Sequence, residues 1–211
     1  MKYQAILLAA GDSSRSGLNY NKVLFELENN QKIIQVSMHN FLIDNECDKI
    51  FLVCKESEIE IFRSIFENEK KVFYVVGGKT RQESVYNALL KVDSEYVFIH
   101  DGARPYYSSI LLNRLKDKLA TCDAVIPVWS MKDTIKIVKD NIVEKTLNRN
   151  ELKLVQTPQA FKTSLIKKVH ELADNNLYSD DASLVELYSD EKVYTIDGEY
   201  TNIKYTYKEE F

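Results

Sequence analysis

Glycine, proline, cysteine and tryptophan are scarce in this sequence, with 6, 3, 3 and 1 of 211 residues. So few glycines and prolines argue against long flexible linkers and predict a single domain over 1–211. Cys47, Cys54 and Cys122 have neither the spacing of a zinc site nor the number of a disulfide framework. We therefore expect reduced thiols in a cytoplasmic protein. The histidines also lack the spacing of metal ligands.

An excess of positive charge and long apolar runs are missing as well. The 28 Lys and Arg are outnumbered by 32 Asp and Glu, which gives a net charge of −4. No global positive field is therefore available to bind the phosphates of a nucleic acid. No apolar run approaches the roughly 20 residues that span a bilayer. We expect neither a nucleic-acid partner nor a membrane association.

Short apolar segments alternate with amphipathic ones up to Ser130. This order is typical of a parallel sheet that is covered by helices on both faces. The predicted fold class is α/β, with a doubly wound, mostly parallel sheet. Strands are predicted at 3–8, 49–53, 71–76, 95–99, 123–128, 193–196 and 202–207, and helices at 33–42, 58–66, 82–92, 110–119, 162–173 and 181–187.

A different pattern follows Ser130. The β-prone segments 134–138 and 142–146 flank Lys139, Asp140 and Asn141, a triplet that favours a turn. We predict a β-hairpin within 130–150 that projects from the sheet as an arm.

Small residues follow the first predicted strand. Ala9, Ala10 and Gly11 stand at its carboxyl end, and Arg15 and Lys22 come soon after. Ligands of open α/β sheets bind at such ends, and small side chains let phosphate oxygens reach backbone N–H groups. The segment suits a triphosphate, although it is neither a Walker A loop nor a dinucleotide fingerprint. A tight connection with two solvated cations is an equally open interpretation.

Asp101 also follows a predicted strand, with Arg104 close by in the sequence. An ion pair or a turn cap is the plain interpretation, and contact with a nucleotide, metal or substrate is the functional one, which the strand end favours. We assign no chemistry to His100. The acidic residues Asp180 and Asp181 indicate the start of a helix rather than an acid–base or metal site.

Seven segments, in one order, carry a resemblance to a known family. They are 8–11 with Arg15 and Lys22, 100–105 (HDGARP), 133–136 (DTIK), 146–149 (TLNR), 156–161 (QTPQAF), 180–186 (DDASLVE) and 201–204 (TNIK). Together they resemble the 2-C-methyl-D-erythritol 4-phosphate cytidylyltransferases of the non-mevalonate isoprenoid pathway. The resemblance implies a Rossmann-like nucleotidyltransferase fold and the transfer of a cytidylyl group from CTP to this polyol phosphate, with release of pyrophosphate.

The resemblance also implies roles for individual residues. The acceptor phosphate would attack the α-phosphorus of CTP, stabilised by cations rather than by a covalent nucleophile. Mg²⁺ would bind the triphosphate, with Asp101 as the candidate protein ligand. A homodimer is implied, in which each arm serves the neighbour's active site. The implied catalytic residues are Arg15, Lys22, Arg149 and Lys204. The implied nucleotide-binding residues are Ala9, Ala10, Gly11, Gly78, Ser84 and Asp101. The implied substrate-binding residues are Arg104, Thr134, Arg149, Thr157 and Lys204.

Departures from the family's pattern and two alternatives accompany this interpretation. Ser13 stands where the family often has glycine, which implies a stiffer loop. Asn21 precedes Lys22 where many members have proline, which allows a looser position for that lysine. A ribitol 5-phosphate cytidylyltransferase is the first alternative, because such enzymes have much the same nucleotide loop. A catalytically silent nucleotide-binding protein on the same fold is the second.

Overall fold

The computed structural model describes residues 1–12, 16–174 and 178–206. Strands and helices alternate up to Ser130, as the sequence predicts. The helices are Ile33–Ile43 (α1), Ile59–Ile65 (α2), Arg81–Leu89 (α3), Ser109–Leu119 (α4), Thr163–Leu172 (α5) and Ala182–Tyr188 (α6). The strands are Tyr3–Leu8 (β1), Cys47–Cys54 (β2), Val72–Val76 (β3), Tyr96–Asp101 (β4), Ala124–Ser130 (β5), Lys136–Lys139 (β6), Ile142–Thr146 (β7), Lys153–Val155 (β8), Gln159–Lys162 (β9) and Tyr194–Asp197 (β10).

The main sheet has the strand order β10-β5-β9-β4-β1-β2-β3. β1 is parallel to β2 and β4, β2 is parallel to β3, and β5 is parallel to β10. β9 runs antiparallel between β4 and β5, and β8 pairs antiparallel with β5. The mostly parallel sheet of the prediction is confirmed, whereas β8 and β9 were not predicted.

Alternate residues of β1 face two different cores. Tyr3, Ala5 and Leu7 pack in the core that contains the apolar residues of α1 and α4. Ile6 packs in the core that contains those of α3, α5 and α6. All four side chains are fully buried. A strand that is covered on both faces can be apolar at consecutive positions, which explains the continuous apolar run at its end.

The predicted hairpin is present as a separate two-stranded sheet of β6 and β7. Asp140 and Asn141 form its turn with φ values of 50° and 64°. Two consecutive positive φ values are typical of a tight hairpin turn, and Asp and Asn tolerate them better than most residues. Every residue of both strands is exposed.

The strand predicted at 202–207 is wrong for the described residues 202–206, which form no strand. Their backbone groups bond to the loop after β4 instead. The carbonyl of Asn202 accepts from Arg104 Nη1 at 2.9 Å, and the N–H of Tyr205 donates to Ala103 at 2.9 Å. The alternating aromatic pattern looked like a strand, but tertiary hydrogen bonds satisfy this backbone and hold Lys204 beside β4.

The described residues contain no helix that is both long enough and apolar enough to cross a bilayer. Cys47, Cys54 and Cys122 are all free thiols. Burial raises the pKa of Cys47 and Cys54 to about 12. Both groups are therefore neutral thiols rather than reactive thiolates at physiological pH.

Gly102 brings the loop after β4 against the end of β1. Its N–H donates to the carbonyl of Leu8 at 2.9 Å, and a Cβ at this position would lie 2.7 Å from that oxygen. We expect Gly102→Ala to lower the free energy of unfolding by about 1–3 kcal/mol, because the backbone must move to make room. Urea denaturation measures this change. Gly11→Ala is the stability control, since nothing lies within 4 Å of a Cβ there, and equal losses in both variants would contradict the prediction.

Candidate functional site

A cavity of about 620 Å³ opens at the carboxyl ends of β1, β2 and β3. Ligands of open α/β sheets bind at this edge. The predicted nucleotide-binding residues and two of the predicted catalytic residues lie in its wall. These residues are Ala9, Ala10, Gly11, Lys22, Gly78, Ser84, Asp101 and Lys204.

Two closely packed loops form one side of this cavity. A Cβ on Gly77 would lie 2.6 Å from the Cβ of Ala10, so the loop after β3 reaches the loop after β1 only because this residue is glycine. The hydroxyl of Ser84 accepts a hydrogen bond from the N–H of Gly78 at 3.0 Å. This side of the cavity therefore presents backbone and small side chains, which suits close approach of a planar ligand.

Asp101 lies in the wall of the cavity among three cations. Lys204 Nζ and Arg104 Nε are 2.9 Å and 3.5 Å from its Oδ2, and Arg81 Nε is 3.7 Å from its Oδ1. Burial alone would raise the pKa of Asp101, but the charges of Lys204, Arg81 and Arg104 outweigh burial and lower that pKa below its usual value. The ion pair with Arg104 that the sequence suggested is present, and it forms part of the cavity wall.

A second cavity, of about 370 Å³, shares Arg81, Asp101 and Lys204 with the first. Arg104 and Thr157, two of the predicted substrate-binding residues, lie in its wall. The cationic group around Asp101 therefore stands between two compartments. Anions bound in both would meet the same positive charges, which favours a reaction between two phosphate-bearing ligands.

A neutral histidine supports this charged group from behind. His100 is fully buried, with Nδ1 2.9 Å from the hydroxyl of Thr157 and Nε2 3.0 Å from the carbonyl of Arg104. The Arg104 carbonyl can only accept, so Nε2–H of the neutral ring donates to it and the unprotonated Nδ1 accepts from the Thr157 hydroxyl. That hydroxyl in turn accepts from the N–H of Asp101 at 3.1 Å. Burial lowers the pKa of His100 to about 3. His100 therefore links the Thr157 hydroxyl beneath Asp101 to the carbonyl of Arg104.

Arg81 is a site residue that the sequence reasoning missed. Its Nη2 lies 2.8 Å from Asp181 Oδ2, and its Nε lies 3.7 Å from Asp101 Oδ1. One guanidinium therefore contacts both carboxylates. Thr80 caps α3 by accepting from the N–H of Glu83 at 3.0 Å, which makes Arg81 the first residue of that helix. The sequence did contain a signal for Arg81. A threonine that can cap a helix follows a predicted strand, and a basic residue comes directly after that threonine.

The two acidic residues before α6 have different roles. Asp180 accepts from the N–H of Ser183 at 3.2 Å and so bonds to the first turn of α6, which begins directly after Asp181; the predicted helix start is confirmed. Asp181 is 1% exposed and pairs with Arg81 and with His170 Nε2, the latter at 3.2 Å. Burial raises the pKa of Asp181, but Arg81 and His170 lower it below its usual value. Asp181 therefore anchors Arg81 rather than facing solvent.

Two of the predicted residues that the structure describes are not in either cavity wall, and a third predicted residue is not described. Thr134 and Arg149 are exposed on the arm and its end, and neither lines the two cavities. Arg149 Nη1 donates to the carbonyl of Lys132 at 2.6 Å. Arg15 lies outside the described residues, and so does Ser13.

The described residues contain no cluster of three or more His, Cys, Asp or Glu side chains that could hold a metal ion. Asp101 is a buried and ionised carboxylate in the cavity wall and offers a hard oxygen ligand, and Asp12 and Glu56 also line this cavity. The three cationic neighbours of Asp101 already balance its charge. A divalent cation would therefore need further oxygen ligands from an anionic partner.

Comparison with known proteins gives one consistent result. The family model described as IspD: 2-C-methyl-D-erythritol 4-phosphate cytidylyltransferase matches residues 3–211. The 2-C-methyl-D-erythritol 4-phosphate cytidylyltransferase of Clostridium tetani is 45% identical to this chain, over 98% of this chain and 86% of its own length. The Geobacillus thermodenitrificans protein of that name is 42% identical over 100% of this chain and 94% of its own length. The crystal structure of 4-diphosphocytidyl-2C-methyl-D-erythritol synthase from Anaerococcus prevotii matches with a TM-score of 0.87 and 35% identity, covering 99% of this chain and 92% of that one.

The buried neutral histidine predicts a pH dependence of stability. The folded pKa of His100 is lowered from 6.5 to about 3, so between these pH values the unfolded chain binds a proton that the folded chain does not. Stability should fall as the pH is lowered through this window, by up to about 1.4 kcal/mol per pH unit. Urea unfolding between about pH 7.5 and 4.5 measures this slope. His39→Gln, which alters an exposed histidine, should keep the slope, and a flat profile in the parent protein would contradict the prediction.

Proposed function

The chain belongs to the 2-C-methyl-D-erythritol 4-phosphate cytidylyltransferase family, and we propose that its two adjoining cavities hold CTP and the acceptor phosphate side by side. The reaction transfers a cytidylyl group from CTP to 2-C-methyl-D-erythritol 4-phosphate. Its products are 4-diphosphocytidyl-2-C-methyl-D-erythritol and pyrophosphate. The shared wall of Arg81, Asp101 and Lys204 supports this arrangement, because it places one cationic group between the two compartments.

The transfer is a displacement at phosphorus. An oxygen of the acceptor phosphate forms a bond to the α-phosphorus of CTP as the bond to the pyrophosphate oxygen breaks, and pyrophosphate leaves with that electron pair. Negative charge grows on the non-bridging oxygens and on the leaving group. Lys22 and Arg15 stabilise this charge, while Lys204 and Arg149 hold the attacking phosphate. Catalysis therefore depends on position and positive charge, and no covalent nucleophile is needed.

The first cavity binds the nucleotide. The backbone around Ala9, Ala10, Gly11 and Gly78 approaches the base and the triphosphate, and Ser84 holds the Gly78 N–H in place. Backbone groups in a fixed position can select one base by its donor and acceptor pattern, because they cannot rotate to suit another.

The second cavity binds the acceptor. Arg104 contributes positive charge there, anchored by the carbonyl of Asn202 and the carboxylate of Asp101. The Thr157 hydroxyl is already engaged with Asp101 and His100. Thr157 therefore serves the acceptor mainly by shaping the wall and holding Asp101.

Mg²⁺ is part of the proposed reaction. The ionised Asp101 carboxylate would supply one oxygen ligand, and further oxygen ligands would come from the triphosphate. The bound ion would neutralise triphosphate charge and make pyrophosphate a better leaving group. Lys204, Arg81 and Arg104 hold Asp101 in the cavity wall without it.

The assembly we propose is a cytoplasmic homodimer in which each arm, within 130–150, reaches the partner's site. Its strands are exposed along their whole length, including Val138 and Ile142, which are 55% and 69% exposed. Apolar side chains on a projecting hairpin are typical of an interface. Thr134 and Arg149 line neither cavity of their own chain, which supports action on the neighbouring subunit.

A pyrophosphate-release assay tests the function directly. With Mg²⁺ present, we expect turnover with CTP and 2-C-methyl-D-erythritol 4-phosphate, and rates lower by at least about 100-fold with ATP, GTP or UTP, since backbone groups that are fixed for one base leave another unpaired. Ribitol 5-phosphate is the comparison acceptor. Turnover with ribitol 5-phosphate alone would contradict the acceptor assignment. No turnover with any pair would favour a silent nucleotide-binding protein.

Subunit mixing tests the arm. Lys22→Ala and Arg149→Ala should each lower kcat by about 100-fold or more, because each removes a charge that stabilises the transition state. A mixed dimer of the two variants has one complete site, made from the body of the Arg149→Ala subunit and the arm of its partner. Random exchange should therefore restore about a quarter of the parent activity.

The control pairs Lys22→Ala with Lys204→Ala. Both changes lie in the body of the subunit, so no site in the mixed dimer is complete and activity should stay low. Co-expression with two different affinity tags isolates the mixed species. A purified mixed dimer of Lys22→Ala and Arg149→Ala that stays inactive would contradict the exchange of arms.

A further inference from the structure

Asn21 is held more firmly than the sequence suggested. The expectation that it loosens Lys22 is wrong, because its side chain is buried and bonded to two other segments. Asn21 is 5% exposed, and its Nδ2 donates to the carbonyl of Ala9 at 2.5 Å and to the carboxylate of Glu58 at 2.9 Å. Its φ of −63° is also the value that proline imposes, so asparagine keeps the backbone conformation that proline would give.

The bond to Ala9 fixes the start of the nucleotide loop, by which we mean residues 9–11 after β1. The N–H of Ala9 donates to the carbonyl of Val53 at 2.7 Å, and the carbonyl of Ala9 accepts from Asn21. Both polar groups of this residue are therefore bonded just where the chain leaves β1. The second N–H of the Asn21 amide reaches Glu58, so one planar group joins this loop to the segment that precedes α2.

The backbone that follows Asn21 carries Lys22. A short 3₁₀ turn spans Lys22–Leu24, in which the carbonyl of Asn21 accepts from Leu24 at 2.9 Å and the carbonyl of Lys22 accepts from Phe25 at 3.0 Å. Val23 is 3% exposed and packs in the core. The Cα of Lys22 is thus held between a buried amide and a buried apolar side chain, and its own side chain enters the cavity wall.

We propose that Asn21 is a positioning residue for the reaction, and that the two hydrogen bonds its amide donates hold Lys22 at a fixed place relative to the nucleotide loop. The inference rests on the function proposed for Lys22. A lysine on a flexible stem stabilises charge well only if its backbone is held, because a displacement of about 1 Å can cost 100-fold in rate. The amide provides that constraint without adding charge to a cavity that receives a triphosphate.

The test is Asn21→Leu, which keeps the approximate size and shape of the side chain. It removes both donated bonds and also the Oδ1 that accepts from the N–H of Val23 at 3.4 Å. We expect kcat to fall by about 10- to 100-fold with KM for CTP changed by less than about threefold, because the lost constraint acts in the transition state. Asn21→Ala is the second variant if leucine prevents folding. Thermal melting establishes that each protein compared is folded at the assay temperature.

A double-mutant cycle with Lys22→Ala separates positioning from general destabilisation. If Asn21 acts through Lys22, then Asn21→Leu should lower kcat by less than about twofold in the Lys22→Ala background. The same loss in both backgrounds would overturn the inference, and so would parent turnover in Asn21→Leu. Parent turnover in Lys22→Ala alone would instead show that the role proposed for Lys22 is wrong. An inactive parent protein would refute the proposed function itself.

Asn40→Leu is the matched control. Asn40 Nδ2 also donates to a backbone carbonyl at 2.5 Å, that of Tyr107, but it lies on α1 and lines neither cavity. We expect a loss of melting temperature and a kcat within about twofold of the parent. An Asn40→Leu enzyme that loses as much kcat as Asn21→Leu would also overturn the inference, because loss of any such bond would then suffice.

Discussion

The carboxylate of Asp101 stands among Lys204, Arg104 and Arg81, and both cavities depend on this group of charges. A buried carboxylate without partners would be costly, and so would cations crowded together without it. Each charge offsets the cost of burying the others. The result is an arrangement that can receive two phosphate-bearing ligands without first having to assemble.

Neutral polar side chains hold this charged group and also Lys22, which lines the same cavity. His100 and Thr157 bind the backbone on both sides of Asp101, and the deeply lowered pKa of His100 keeps that support uncharged. Asn21 provides a similar support for Lys22. Catalysis of phosphoryl-type transfer requires fixed dipoles and charges, and uncharged amide, hydroxyl and imidazole groups fix them without competing for the anionic ligands.

Much of the fold could be predicted, because apolar periodicity and turn residues are local properties. The strands before β6, the arm and the helices all follow from them. The short strands β8 and β9 have too few residues for a clear period, and they pair antiparallel with strands that are distant in the sequence. The opposite error occurred at 202–206, where the aromatic residues alternate but the backbone bonds to Arg104 and Ala103.

The sequence by itself determined the chemistry available at each strand end. It placed small residues after β1, an aspartate at the end of β4, and lysines and arginines near both in the sequence. These features can be read from residue type and local pattern, which do not depend on tertiary contacts. Only the tertiary structure decided which cations meet that aspartate and which neutral groups hold them. Arg81 and Asp101 lie at the carboxyl ends of the parallel strands β3 and β4. Lys204 joins them because the backbone of Asn202 and Tyr205 bonds to the loop after β4. Such distant pairings leave no periodic signal along the chain. The partners of Asn21 were decided in the same way, because a buried amide bonds to whatever carbonyl and carboxylate the fold places beside it.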